Sequence, residues 1–363
     1  MRYWAVLLLL FWVGGLEALS RSDLYQLVDK YAEGYRKSKH TPPALLVGVI
    51  YEDSAGMPAK KIFCYGSDRE RISETTLFRI GGVTEVFTAT LFAKLVQEGL
   101  IKLDDPVQKY LPQGVWMPIF NGTQVRLQDL ATHTSGLPEK PRDVKRKKNY
   151  TTKEMYDFLN KYRLYRAPGT KYRYSPLGYA LLADILSRVM ERSWQDAIMQ
   201  KICNKLDLAH TRALLNVEER KMVALGHNKW GKVIDSVFLE SDASVFLGAD
   251  GLFSSAKDMM NWLAYNLGEV ESDLSFLLPI IQEPHCSMGA RKDSKICLGW
   301  ELSYLDQKQS LSQFSKKGKF GGFGVYLAFV KDTKTGVIVM TNSSHSPESI
   351  GANILKALNE LEE

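Results

Sequence analysis

The chain has 363 residues, 45% of them hydrophobic and 24% charged, with 27 Gly and 13 Pro. That balance excludes a disordered, collagen-like or coiled-coil chain and leaves a globular protein of one large unit or two. The 47 Lys and Arg exceed the 41 Asp and Glu by six, a surplus too mild to suggest a nucleic-acid binder.

Met1-Arg2 gives a short positive end, and Tyr3 to Leu16 is almost continuously apolar. Ala18-Leu19-Ser20 then offers small residues at the positions a signal peptidase reads. The run stops at Glu17, short of the about 20 residues that a membrane span needs. Residues 1–20 therefore read as a signal peptide, 21–363 as the mature domain, and the protein as secreted with no stable membrane span. Asn121-Gly122-Thr123, Asn149-Tyr150-Thr151 and Asn342-Ser343-Ser344 are glycosylation acceptors on such a route, of which one or two are expected to be used. Cys286 and Cys297 are close enough in sequence to clip a loop and are the preferred disulfide pair. Cys64 and Cys203 read as buried thiols. No Cys-x-x-Cys or His-x-x-x-His spacing exists, so neither a metal nor another cofactor is expected.

Between Ser22 and Lys39, Leu24, Leu27, Val28 and Tyr31 share one face of an amphipathic helix. Leu45 to Tyr51, the Gly56 turn and a strand through Tyr65 read as a hairpin. The stretch from about Leu100 to Pro284 is mostly helical pattern and loops, with a run of lysines and arginines from Lys140 to Lys148 that reads as a solvated loop. Phe323–Val330 and Val337–Met340 form a second hairpin around Asp332 to Gly336. Ser346 and Pro347 open a closing helix that repeats Ile350, Ile354, Leu358 and Leu361. Sheet from both chain ends around a helical middle predicts a discontinuous α+β domain: sheet from about 21–80 and 290–363, and an inserted α-rich lobe from about 81–289.

Several segments resemble one family. Phe78-Arg79-Ile80-Gly81-Gly82-Val83-Thr84-Glu85-Val86-Phe87-Thr88-Ala89 is similar to the nucleophile segment of serine β-lactamases and penicillin-binding proteins of the class C type. Leu103-Asp104-Asp105-Pro106-Val107 and Leu130-Ala131-Thr132-His133-Thr134-Ser135-Gly136-Leu137-Pro138 continue the likeness. Tyr174-Ser175-Pro176 stands at the family's Tyr-Ser-Asn position, and Gly251-Leu252-Phe253-Ser254 and Leu298-Gly299-Trp300-Glu301 are further landmarks. The resemblance runs from about Ser22 to the C-terminus and implies a β-lactamase/DD-peptidase-like fold, with an antiparallel sheet flanked by N- and C-terminal helices.

It also implies a serine at the start of a buried helix and a lysine one turn later that helps remove its proton. Here those positions hold Gly82 and Glu85. Glycine has no oxygen to acylate, and glutamate reverses the supporting charge. Tyr174 is kept, but Pro176 replaces the asparagine that would hold substrate. The third motif falls at Lys316-Lys317-Gly318, where a cation and a glycine persist. Gly82, Glu85, Tyr174, Lys316 and Gly318 thus read as a vestigial site with no catalytic residues. Ser254-Ser255-Ala256-Lys257 spells Ser-x-x-Lys elsewhere, but Ser254 reads as a helix cap. His133 reads as a structural hydrogen-bonding group.

The expected function is a secreted β-lactamase-like pseudoenzyme, similar to animal members with a degenerate site, that binds a small molecule, peptide or protein or acts as a scaffold. The alternatives are a hydrolase in which Glu85 or Tyr174 activates water on an amide or ester, and an assembly-forming structural protein. Glu85 is expected to meet a lysine of Lys316-Lys317-Gly318 across the cleft, and otherwise to cap its own helix.

Overall fold

The computed structural model describes residues 20–37, 43–68, 71–142, 150–234, 244–289, 293–305 and 310–360. The expected leader, but for Ser20, and Asn149 lie outside the described residues, as does most of the charge run after Lys140.

An eight-stranded antiparallel sheet organises the chain. Its order is Pro58–Tyr65, Leu45–Glu52, Thr335–Thr341, Phe323–Val330, Ser312–Phe320, Glu301–Tyr304, Lys295–Ile296 and Cys286–Ser287. The two predicted hairpins are its first four strands, joined where Leu45–Ile50 pairs with Gly336–Thr341. This is the α+β architecture expected from the sequence.

Leu45–Glu52, Phe323–Val330 and Thr335–Thr341 are largely apolar because both sheet faces are covered there. Side chains alternate between faces along a strand. Val47, Val49, Ala328 and Val339 meet Leu24, Val28, Ile350, Ile354 and Leu358 of the two terminal helices, Arg21–Lys37 and Glu348–Glu360. Leu46, Ile50, Leu327 and Met340 face the lobe instead. Ser346 begins the closing helix, its hydroxyl accepting from the Glu348 N–H at 3.3 Å.

The lobe is built around the helix Thr84–Gln97, whose residues from Thr84 to Ala93, and Leu95, are buried. Phe87 stacks on Trp262 with centroids 4.0 Å apart, and the Thr88 hydroxyl donates to the Gly248 carbonyl at 2.6 Å. Burial of Val86, Phe87, Leu91, Phe92 and Leu95 stabilises the fold by about 1.5–3 kcal/mol per side chain. Packing all round, and not amphipathicity, fixes this helix, so its N-terminal turn is held rigidly against the sheet.

Two short strand pairs interrupt the largely helical middle, Gly226–His227 with Val233–Ile234 and Phe78–Arg79 with Phe253–Ser254. The second pair corrects the reading of Ser254. Its hydroxyl lies 2.9 Å from that of Thr211 in a fully buried site, while the next residue, Ser255, caps the helix Ala256–Leu267 by accepting from the Asp258 N–H.

The expected Cys286–Cys297 bridge is not formed. The hairpin register explains this. Cys286 is paired with Ile296, so Cys297 is one residue out of step and points to the opposite face. Cys297 is buried with its sulfur 3.3 Å from the Gln282 carbonyl, whereas Cys286 is partly exposed. Cys203 is buried, as expected, and Cys64 only partly so.

Asn342 is a sequon in sequence alone. It is fully buried, its amide oxygen accepting from the Ala44 N–H at 2.8 Å and its amide nitrogen donating to the Leu225 carbonyl at 3.0 Å. Asn121 sits exposed at a turn with φ of 46°.

Candidate functional site

A cleft of about 740 Å³ opens between the start of the helix Thr84–Gln97, the strand Ser312–Phe320 and the loop carrying Tyr172 to Pro176. Gly82, Tyr174, Pro176, Lys316 and Gly318 all line it. The segments singled out in the sequence therefore converge on one place, although they are spread over most of the chain.

Gly82 lies in a single 3-10 turn, Gly81–Val83, that leads into the helix. A Cβ placed on Gly82 would lie 3.0 Å from the Tyr174 hydroxyl and 3.2 Å from the Lys317 carbonyl oxygen. The position expected for a nucleophile thus points into the cleft but carries no atom that attacks. Gly318 is there for closeness. A Cβ on it would come within 1.9 Å of the Ile80 carbonyl oxygen, so only glycine lets the strand run against the helix start.

Glu85 occupies the first helical turn, where the helix dipole favours a carboxylate. It is completely buried and meets the Lys316 ammonium at 2.5 Å. The cross-cleft pair expected from sequence is formed, and Lys316 is the lysine that forms it. Its neighbour Lys317 turns the other way and pairs with Glu348 at 3.0 Å. The two lysines diverge because successive residues of a strand face opposite sides.

His133 completes the cluster. Its Nδ1 accepts from the Ser175 N–H at 3.1 Å, which leaves the ring proton on Nε2. Nε2 lies 3.2 Å from the Glu85 carboxylate, at ion-pair distance though not aligned as a hydrogen bond. His133 also packs its ring 4.8 Å from that of Tyr174 and 5.1 Å from that of Tyr179. Its role is to hold Ser175 and face Glu85, in keeping with a structural histidine.

Burial works to raise the Glu85 carboxyl, but Lys316 and then His133 outweigh it and hold the group below the ordinary carboxylate range. Tyr174 is pushed the other way. Desolvation of its inward hydroxyl and the negative charge of Glu85 raise it well above the usual tyrosine range. Its ring, 39% exposed, borders the open cleft. Tyr179, fully buried, donates to the Ala131 carbonyl at 2.6 Å and is raised for the same reasons.

Several charged cleft residues were not singled out in the sequence for a role here. Asp250 faces Lys140 at 3.6 Å, and Glu348 opens the C-terminal helix beside Lys317. Neither carboxylate stands in a motif that marks a site. Only Lys140 carried a signal, as the start of a charge run. Among the described residues no group of three or more His, Cys, Asp and Glu has the geometry to hold a metal ion. No helix there is long and apolar enough to cross a membrane.

The chain matches the model of the Beta-lactamase family over residues 12–360. It is 28% identical over 305 residues to the D-alanyl-D-alanine-carboxypeptidase/endopeptidase AmpH of Escherichia coli (strain K12), spanning 79% of this chain and 75% of that one. It is 27% identical over 351 residues to a beta-lactamase of the same organism, spanning 87% of this chain and 89% of that one. Among solved structures it resembles a class C beta-lactamase with a TM-score of 0.79 at 22% identity, over 93% of this chain and 97% of that one. A beta-lactamase/D-alanine carboxypeptidase from Yersinia pestis, solved with citrate, matches over the same shares with a TM-score of 0.77 and 25% identity. Sequence and fold agree across nearly the whole length, and the chain belongs to the beta-lactamase family.

Proposed function

We propose that this protein is a secreted, non-catalytic member of the family that keeps the cleft as a binding site or scaffold. The observation that carries the reading is Gly82, a glycine facing the cleft where acyl-serine chemistry needs a hydroxyl. Loss of the serine alone costs such hydrolases on the order of a million-fold in turnover. Glu85 reinforces it, because a carboxylate buried against Lys316 sits where an acylating member needs a base.

Direct activation of water by Glu85 or Tyr174 is the rival enzymatic reading. A general base works best with a pKa near the working pH. Glu85 is held below the ordinary range and is sealed behind Lys316, while Tyr174 is raised far above neutrality. Both shifts disfavour that chemistry. An assembly-forming role has no particular residue in its favour. The leader-like residues 1–20 and the exposed Asn121 support a secretory, glycosylated protein.

The test is covalent labelling. Purified protein is treated with a fluorophosphonate and with a β-lactam probe, and adducts are mapped by mass spectrometry. No serine adduct is expected. A stoichiometric adduct, together with hydrolysis of a chromogenic cephalosporin that stops when the labelled serine is changed, would overturn the reading.

A further inference from the structure

We propose that the cleft receives an uncharged ligand with an apolar body and discriminates against carboxylates. This rests on the reading of the cleft as a retained binding site and names the class of molecule it takes.

Most of the cleft's lysines are already paired within the protein. Four lysines line it: Lys140, Lys316, Lys317 and Lys319. Three of them face a carboxylate of the protein itself: Lys316 on Glu85 at 2.5 Å, Lys317 on Glu348 at 3.0 Å and Lys140 on Asp250 at 3.6 Å. Among the described residues, Lys319, exposed at the rim, has no such pairing, and Glu139 is likewise exposed on the cleft wall. An incoming anion would have to break one of these pairs or lose its water beside Asp250, Glu301 and Glu348. Either step carries a desolvation cost, and Lys319 at the exposed rim, where water screens its charge, offsets little of it.

Between the pairs, the walls are apolar. Tyr172, Tyr174, Pro176, Met288, Ile296 and Phe320 supply aromatic and aliphatic surface on several sides. A volume of about 740 Å³ is that of a small-molecule site, and an apolar body entering it releases water from these side chains. The nucleophile position contributes to the shape, since Gly82 leaves the floor without a side chain.

The test uses two fluorescent molecules that differ only in charge, 1-pyrenebutanoic acid and its methyl ester, titrated into the full-length protein at neutral pH. The ester is expected to saturate one site and to bind about tenfold or more tightly than the acid. Glu348→Gln removes the partner of Lys317 at a partly exposed position and should tighten the acid several-fold, narrowing the preference for the ester. Tighter or equal binding of the acid to the unaltered protein overturns the proposal, as does failure of the ester to saturate. Chromatography of the recovered ligand separates the two readings. Ester converted to acid by the protein counts against the non-catalytic function, whereas intact ester without preference counts against the ligand class alone.

Discussion

Glu85 shows how one side chain sets the charge balance of a pocket. Its carboxylate is stable in full burial only because Lys316 and His133 face it. Replacing one partner of a buried ion pair leaves the other charge uncompensated, which costs about 3–5 kcal/mol. Glu85→Gln is therefore expected to lower the unfolding free energy by about that amount at pH 7, measured by urea denaturation. The acid dependence has a definite sign. A carboxyl depressed in the folded state contributes stability that is complete above its ordinary pKa of 4.5 and is lost as pH falls through the lower folded value. The gap between the parent and Glu85→Gln should stay constant from pH 7 to about 5 and narrow below about 4.5. A gap that closes already near pH 6 would count against the assignment. Gly82 and Glu85 could be singled out in the sequence, because the motif that the likeness implies is one helical turn long and fixes their spacing. Which lysine would answer Glu85 was not legible, since Lys316 and Lys317 are chemically alike and differ only in which face of the strand they occupy.

Between elements, the closest approach in the site is that of the strand Ser312–Phe320 to the turn before the helix Thr84–Gln97. Gly318 makes it possible, with the Ile80 carbonyl where a Cβ would stand. Gly318→Ala is expected to cost about 1–3 kcal/mol or to force the strand away from the helix start, because a backbone oxygen cannot move aside as a side chain does. Thermal unfolding reads the first outcome, and a weakened response of the cleft to ligand reads the second. Unchanged stability together with unchanged binding would show that the contact is looser than described. The two hairpins and the terminal helices were legible from apolar runs bounded by turn residues and from helical periodicity. The Cys286–Cys297 pairing was misread because loop length was used without register. A shift of one residue in a hairpin moves a side chain to the other face, and loop length does not report it.

At the scale of the whole molecule, burial separates the described sequons. Asn121 is exposed and Asn342 has its amide fully engaged inside the fold. Glycopeptide mapping of protein recovered from a secretory host is expected to find a glycan at Asn121 and none at Asn342. Terminal sequencing of the same material should begin near Arg21. A glycan at Asn342 would require the segment after the strand Thr335–Thr341 to leave its place beside Ala44. The sequon at Asn342 was legible as three residues, yet its unsuitability depends on Ala44 and Leu225, which the tripeptide does not contain.

The sequence by itself determined the family, the order of strands and helices, and the presence of Gly82 and Glu85 where the likeness to that family implies a serine and a lysine. Each of these is written in short spacings, where a residue type at a given offset from a buried helix or strand is enough. The tertiary structure decided what fills the altered site. Glu85 and Lys316 stand 231 residues apart in the chain, and Asp250 and Glu348 reach the cleft on elements with no motif of their own. Such partnerships depend on which faces the packed elements turn towards each other, and that is set by the burial of the whole core and not by any local run of residues.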